Sequence, residues 1–153
     1  MDDSTLNCFE KITLSAWVYP TSAPGSGWGR IIHKSDGITW DDYSLTMVKG
    51  SNRLYFRLNT DVGEETITSL NAIPFGEWSY VTGTYDGTTS KFYVNGNLAS
   101  SDPSVSSING YDVNELWVGA NSNGGQFTAG MVDDVMIYNK SLSAAEVSAL
   151  ASA

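Results

Sequence analysis

The stretch Gly76–Leu98 constrains the fold of this chain more than any other segment. It holds three strand-like runs separated by two turns of different chemistry, Asp86-Gly87 and Asn95-Gly96. Asn-Gly between short alternating runs is the strongest local hairpin signal, because both residues accept the positive φ that a type I′ turn requires. The segment therefore predicts an antiparallel meander starting at Trp78, and the fold class is all-β.

Period-two alternation extends that reading along the chain. Ile12, Leu14, Ala16 and Val18 form one face of a strand, with Trp17 and Tyr19 on the other. A Gly/Pro/Ser loop runs from Pro20 to Gly29, and Arg30–Lys34 is a short apolar strand. Tyr43–Val48 and Arg53–Asn59 form a hairpin in which Leu54, Phe56 and Leu58 share a face, leaving Tyr55 and Arg57 opposite. Glu65–Leu70 and Glu115–Ala120 are further strands; Gln126–Asn139 is a long one bent at Gly130. Ser143 followed by Glu146 is a capping box for one short C-terminal helix. Short strands with turn signals every 8–12 residues or so fit a two-sheet sandwich. No repeat or linker divides the chain, so residues 1–153 are read as one domain.

Composition narrows the partners. The net charge is −9 and the isoelectric point about 4.3, which disfavours nucleic acid and anionic membranes, since phosphate binding needs clustered Lys and Arg. No apolar run approaches the roughly 20 residues that cross a bilayer. Cys8 is the single cysteine, so no intrachain disulfide or thiolate zinc site can form. Charged residues make up only 16%, and the many Ser, Thr, Asn and Gly give the texture of an extracellular sandwich. Secretion or display on a cell surface is expected. No signal peptide is visible in this stretch.

Three segments carry a resemblance. Trp78-x-x-Val-x-x-Thr-Tyr-Asp-Gly87 followed by Phe92-Tyr-Val-Asn-Gly96, the run Gly130–Val147, and Ile12–Pro20 resemble the laminin-G-like and pentraxin-like branch of the concanavalin A-like lectin/glucanase superfamily. The resemblance implies an antiparallel jelly-roll sandwich with one short C-terminal helix. Members usually have another strand or two before the Ser-Ala-Trp run, whereas only Met1–Lys11 precede it here. The N-terminus is thus read as trimmed, or the sheet edge as completed by something else, a second copy in a homodimer included.

Three kinds of chemistry are open to a chain of this type. Hydrolytic relatives cut glycosidic bonds with carboxylates at Glu-x-Asp-x-Glu spacing on one strand. No strand here has it; Glu64-Glu65 and Asp133-Asp134 are adjacent pairs that alternation sends to opposite faces. With His33 as the sole histidine and no nucleophile elbow, the expectation is a non-enzyme. For metal, alternation places Asp133 in phase with Met131, Val135 and Ile137 and therefore inward. A buried carboxylate needs a partner, and a structural Ca²⁺ is the expectation there. The resemblance implies the same role for the first Asp of such a segment.

For carbohydrate, exposed rings stack on sugar C–H faces while polar side chains take the hydroxyls. Trp17 and Trp78 sit at family-typical structural positions. Trp28 and Trp40 lie in loops, and Trp117 is out of phase with Leu116 and Val118. Together with Tyr55, Arg57, Asn121 and Asn123 they form the candidate sugar platform. The expected function is a non-catalytic, lectin-like module that recognises a polysaccharide or glycan, normally tethered to a larger chain such as a catalytic neighbour. A laminin-G-like protein-interaction or adhesion domain is the alternative.

Overall fold

The computed structural model describes residues 8, 10–25, 27–35, 41–69, 72–103, 106–109, 114–121 and 125–153. Its described strands are, in chain order, β1 (Ile12–Pro20), β2 (Gly29–Ser35), β3 (Asp41–Met47), β4 (Leu54–Thr60), β5 (Gly63–Thr68), β6 (Ser79–Tyr85), β7 (Thr89–Val94), β8 (Asn97–Pro103), β9 (Glu115–Val118) and β10 (Gly130–Tyr138). They form two five-stranded sheets, a first with the order β10-β1-β6-β7-β8 and a second with the order β5-β4-β3-β2-β9. All strand pairings are antiparallel.

The predicted meander is β6-β7-β8. Asn95 and Gly96 have φ of 49° and 77°, both positive as the type I′ turn demands. Gly96 is also a contact point, because a Cβ there would lie 3.0 Å from the Ser148 backbone.

Between the sheets, alternation supplies one apolar side chain in two. Leu14 and Val18 of β1, Leu45 of β3, Phe56 of β4 and Val81 of β6 all lie in the shared core. The layers approach closely where Gly83 faces Phe56, since a Cβ at 83 would overlap the ring. One charged pair is buried with them: Lys34 Nζ donates to Asp42 Oδ2 at 2.8 Å, both side chains 1% exposed. Asn114 Nδ2 donates to the other Asp42 oxygen at 2.7 Å. A buried carboxylate is tolerable when both oxygens are satisfied in this way.

The helix α1 (Ala144–Ala151) begins with the predicted capping box: Glu146 N–H donates to Ser143 Oγ, and Ser143 N–H to Glu146 Oε2. The Ser143 amide, then the Lys140 ammonium, draw the exposed Glu146 carboxyl down from its ordinary 4.5 to about 2. Leu142 and Val147 pack on Tyr93 in a satellite apolar cluster, which seats the helix on the outside of the first sheet. Among the described residues no helix is long and apolar enough to cross a membrane.

Candidate functional site

The outer face of the second sheet is built by the alternation of β4. Leu54, Phe56 and Leu58 point into the core, so Tyr55 and Arg57 point out. Register extends two rows across the sheet from them. Arg57 is opposite Ser44 on β3, which is opposite His33 on β2, which is opposite Trp117 on β9. Tyr55 is opposite Thr46, which is opposite Arg30. At the usual strand spacing, Trp117 and Arg57 stand about 14 Å apart with β2 and β3 between them.

Rings and cations are held in place on this face. The half-buried Trp28 of the β1–β2 loop lies over Tyr55, ring centroids 5.3 Å apart and tilted by 41°. Arg57 Nη2 meets Glu64 Oε1 at 2.9 Å. Arg30 Nε donates to Gln126 Oε1 at 2.9 Å, and its Nη1 to Thr46 Oγ1 at 3.3 Å. Trp117 is half-buried, and its indole N–H is covered without a hydrogen-bond partner.

Four of the predicted platform residues, Trp28, Tyr55, Arg57 and Trp117, therefore share one face. Asn121 does different work. Its N–H donates to the Gly125 carbonyl at 3.0 Å, and its Oδ1 accepts from the Gly125 N–H at 2.7 Å. These bonds tie Asn121 to Gly125, the neighbour of Gln126. Trp40 and Asn123 lie outside the described residues.

Asp133 corrects an expectation: it is exposed, not inward. The cause is a bulge in β10. Asp133 pairs with Trp17 and Met136 with Ser15, so Asp134 and Val135 share the single position opposite Ala16. Asp134 takes the left-handed conformation, φ 44°, and the strand's phase flips there. Val132, Val135 and Ile137 consequently pack on the core, with Met131 and Asp133 outside. Asp133 Oδ1 accepts from the Asp134 N–H at 2.9 Å. One oxygen is thus engaged locally, and the side chain lies at the surface rather than in the core. Among the described residues no three His, Cys, Asp or Glu side chains come together to hold a metal.

Arg30, His33 and Gln126 are site residues that alternation missed. Arg30 pairs with Thr46 and Ile32 with Leu45, leaving Ile31 as an extra residue. That bulge puts Arg30 and His33 on one face although they are three apart, a spacing that reads as opposite faces in a regular strand. The Ile-Ile doublet between two polar residues was the available signal.

Two other regions take different forms. On the outer face of the first sheet, Trp17 meets Tyr80 at 5.2 Å and Trp78 meets Tyr19 at 5.5 Å. Beside them the hydroxyls of Ser15, Tyr80 and Thr82 are buried together; burial raises the Tyr80 phenol above its ordinary pKa, and the neighbouring Ser15 and Thr82 hydroxyls partly offset it. At one end of the sandwich, Glu10, Lys11, Asp61, Asp86, Thr88 and Ser106 line an open cleft of about 460 Å³. No ring lines it. Asp86 Oδ1 is already committed to the Thr88 and Thr89 amides.

A family model described as the concanavalin A-like lectin/glucanases superfamily, of the third laminin-G type, matches residues 1–148. The chain belongs to that laminin-G-like family. No curated protein matches it in sequence. Among solved structures, the CBM40 of Ruminococcus gnavus IT-sialidase bound to α2,3-sialyllactose is similar at 19% identity and a TM-score of 0.74, covering 97% of this chain and 86% of that one. The native heptameric SAP-like pentraxin from Limulus polyphemus is similar at 19% identity and 0.71, covering 96% and 72%. The botulinum neurotoxin serotype G binding domain is similar at 19% identity and 0.67, but this chain spans only 36% of it. At these identities the likeness establishes the shared fold.

Proposed function

We propose that this laminin-G-like domain is a non-catalytic glycan-binding module that takes its sugar on the outer face of the second sheet. The observation that carries the reading is Trp28 stacked over Tyr55 with Arg57 on the same face. A ring pair offers the apolar surface that sugar C–H faces need, and a neighbouring guanidinium offers donors for hydroxyls. The sugar-bound CBM40 on the same fold supports a glycan partner. A module of this kind acts by holding its parent protein near a polysaccharide, which suits a secreted or surface-displayed chain.

Affinity gel electrophoresis against soluble polysaccharides tests it. Retardation by at least one polymer, abolished in Trp28→Ala, is the expected result; no retardation by any polymer would overturn it. Calcium at Asp133 enters only as the family resemblance's proposal. A rise in Tm when Ca²⁺ is added to EDTA-treated protein would support it, and an unchanged Tm would dismiss it. The second reading, a protein-interaction domain, is favoured by exposed apolar side chains on the first sheet's outer side, Trp78 at 42% and Met131 at 51%. Under that reading Trp78→Ala would abolish partner binding and Trp28→Ala would not.

A further inference from the structure

We propose that the outer face of the first sheet, at the end where β1 runs into Pro20, docks an arginine-bearing basic segment of a partner protein. This rests on the protein-interaction reading of that face and names the partner's chemistry. The glycan face lies on the opposite sheet, so the two surfaces coexist. Register lays out the docking surface as rows across three strands. In one row, Trp17 of β1 stands between Asp133 of β10 and Tyr80 of β6. Two residues further along β1, Tyr19 is opposite Met131. Trp78, just ahead of Ser79 in β6, lies against Tyr19 with ring centroids 5.5 Å apart. The rows span about 10 Å across the strands and stand about 7 Å apart. Trp78 and Met131 are exposed, and Trp17 and Tyr19 are half-buried. Contiguous open apolar surface of this kind marks an interaction site.

Charge chooses the occupant. Asp133 and Asp134 are exposed at the β10 bulge, and the exposed Glu77 sits between Gly76 and Trp78. Elsewhere Asp42, Glu64 and Glu146 each meet a Lys or Arg. Among the described residues, no Lys or Arg pairs with Glu77, Asp133 or Asp134. The cations nearest this face stand at its other end. Lys91 is opposite Thr84, which is opposite Thr13, and the Thr13 hydroxyl donates to the Lys140 carbonyl. Lys140 is itself taken by Glu146. The end bearing Trp17 and Trp78 is therefore apolar and negative at once. Ring faces and carboxylates share one guest, a cation. A guanidinium suits both, because it stacks flat on an aromatic ring, is more weakly hydrated than an ammonium and forks onto a carboxylate. A second copy of this chain would bring the same carboxylates and a net charge of −9, which repels it.

The test titrates the protein with an octapeptide of alternating glycine and arginine, and with its citrulline counterpart, which keeps the shape and loses the charge. Calorimetry at low and high salt reads the binding. The arginine peptide is expected to bind about tenfold or more tighter than the citrulline peptide, with the gap closing at high salt. Trp78→Ala and Asp133→Asn should each weaken it several-fold. Both side chains are exposed, and unfolding curves verify that the variants fold. Asp102→Asn removes an exposed carboxylate from β8, at the far edge of the same sheet, and should leave binding unchanged. Equal weakening by Asp133→Asn and Asp102→Asn would reduce the effect to net charge and overturn the inference. Equal binding of both peptides, lost in Trp78→Ala, would overturn it and leave the protein-interaction reading standing. Binding of neither peptide would overturn it, as would a dimer in solution that Trp78→Ala dissociates. The glycan reading is tested at Trp28 and survives each of these results.

Discussion

On the first sheet the outward side chains of β1 and β6 include Ser15, Trp17, Tyr80 and Thr82, lying on the side that α1 covers; on the second they include Arg30, His33, Tyr55 and Arg57, which no helix covers among the described residues. Both faces arise from the same alternation, and both are polar in sequence. At its centre the first is closed to water, with the Ser15, Tyr80 and Thr82 hydroxyls buried beside one another. The second ends as a prepared surface, its guanidiniums held by Gln126, Thr46 and Glu64. Polarity of an outward face therefore does not identify a binding site. What distinguishes the second face is that its guanidiniums are oriented by other side chains while Tyr55 and Arg57 stay partly exposed.

That contrast can be broken most forcefully at the helix. Leu142, 5% exposed, anchors the segment that covers the first sheet. Leu142→Ala should cost about 2–3 kcal/mol in urea unfolding, with glycan retardation unchanged. Loss of retardation in a folded variant would mean the faces are not independent.

The capping box has a smaller effect. Ser143→Ala should cost about 1 kcal/mol, read as a lower Tm. Glu146 has a folded-state carboxyl depressed from 4.5 to about 2 by the Ser143 amide and Lys140. The stabilising contribution of such a group is fully present above the unfolded value and fades as pH falls from 4.5 toward 2. The wild type should lose stability across that window, and Glu146→Gln should lose less there. Equal acid sensitivity in both would remove Glu146 from the account.

The smallest effect sharpens the contrast by its sign. Thr82 Oγ1 is buried beside the Tyr80 phenol, with no close hydrogen-bond geometry, so Thr82→Val removes a desolvated hydroxyl at constant shape. Stability should stay level or rise by up to about 1 kcal/mol. A clear loss would reveal a partner for the hydroxyl, an internal water being the simplest.

The fold was legible because turn chemistry and alternation agree. Asn95-Gly96 set the meander, and Ser143 with Glu146 set the helix start, both by local rules that tertiary packing had no cause to override. The site was legible only where strands are regular. Tyr55, Arg57 and Trp117 follow from period two, and all reach the second sheet's outer face. Arg30 with His33, and Asp133, are separated from their alternation partners by bulges at Ile31 and Asp134. A bulge inserts one residue and flips the phase of everything beyond it, so the same event hid two site residues and sent a supposed metal ligand to the wrong side. Gln126 was hidden differently: Gly125 before it is held by Asn121, and its own left-handed backbone, φ 53°, aims it.

The most direct measurement is intrinsic tryptophan fluorescence of the wild type, Trp28→Ala and Trp78→Ala, titrated with the polysaccharide that most retards the protein. The account predicts a saturable shift in the wild type that survives in Trp78→Ala and vanishes in Trp28→Ala. A shift that instead vanishes in Trp78→Ala and persists in Trp28→Ala would place the ligand on the first sheet and contradict the account.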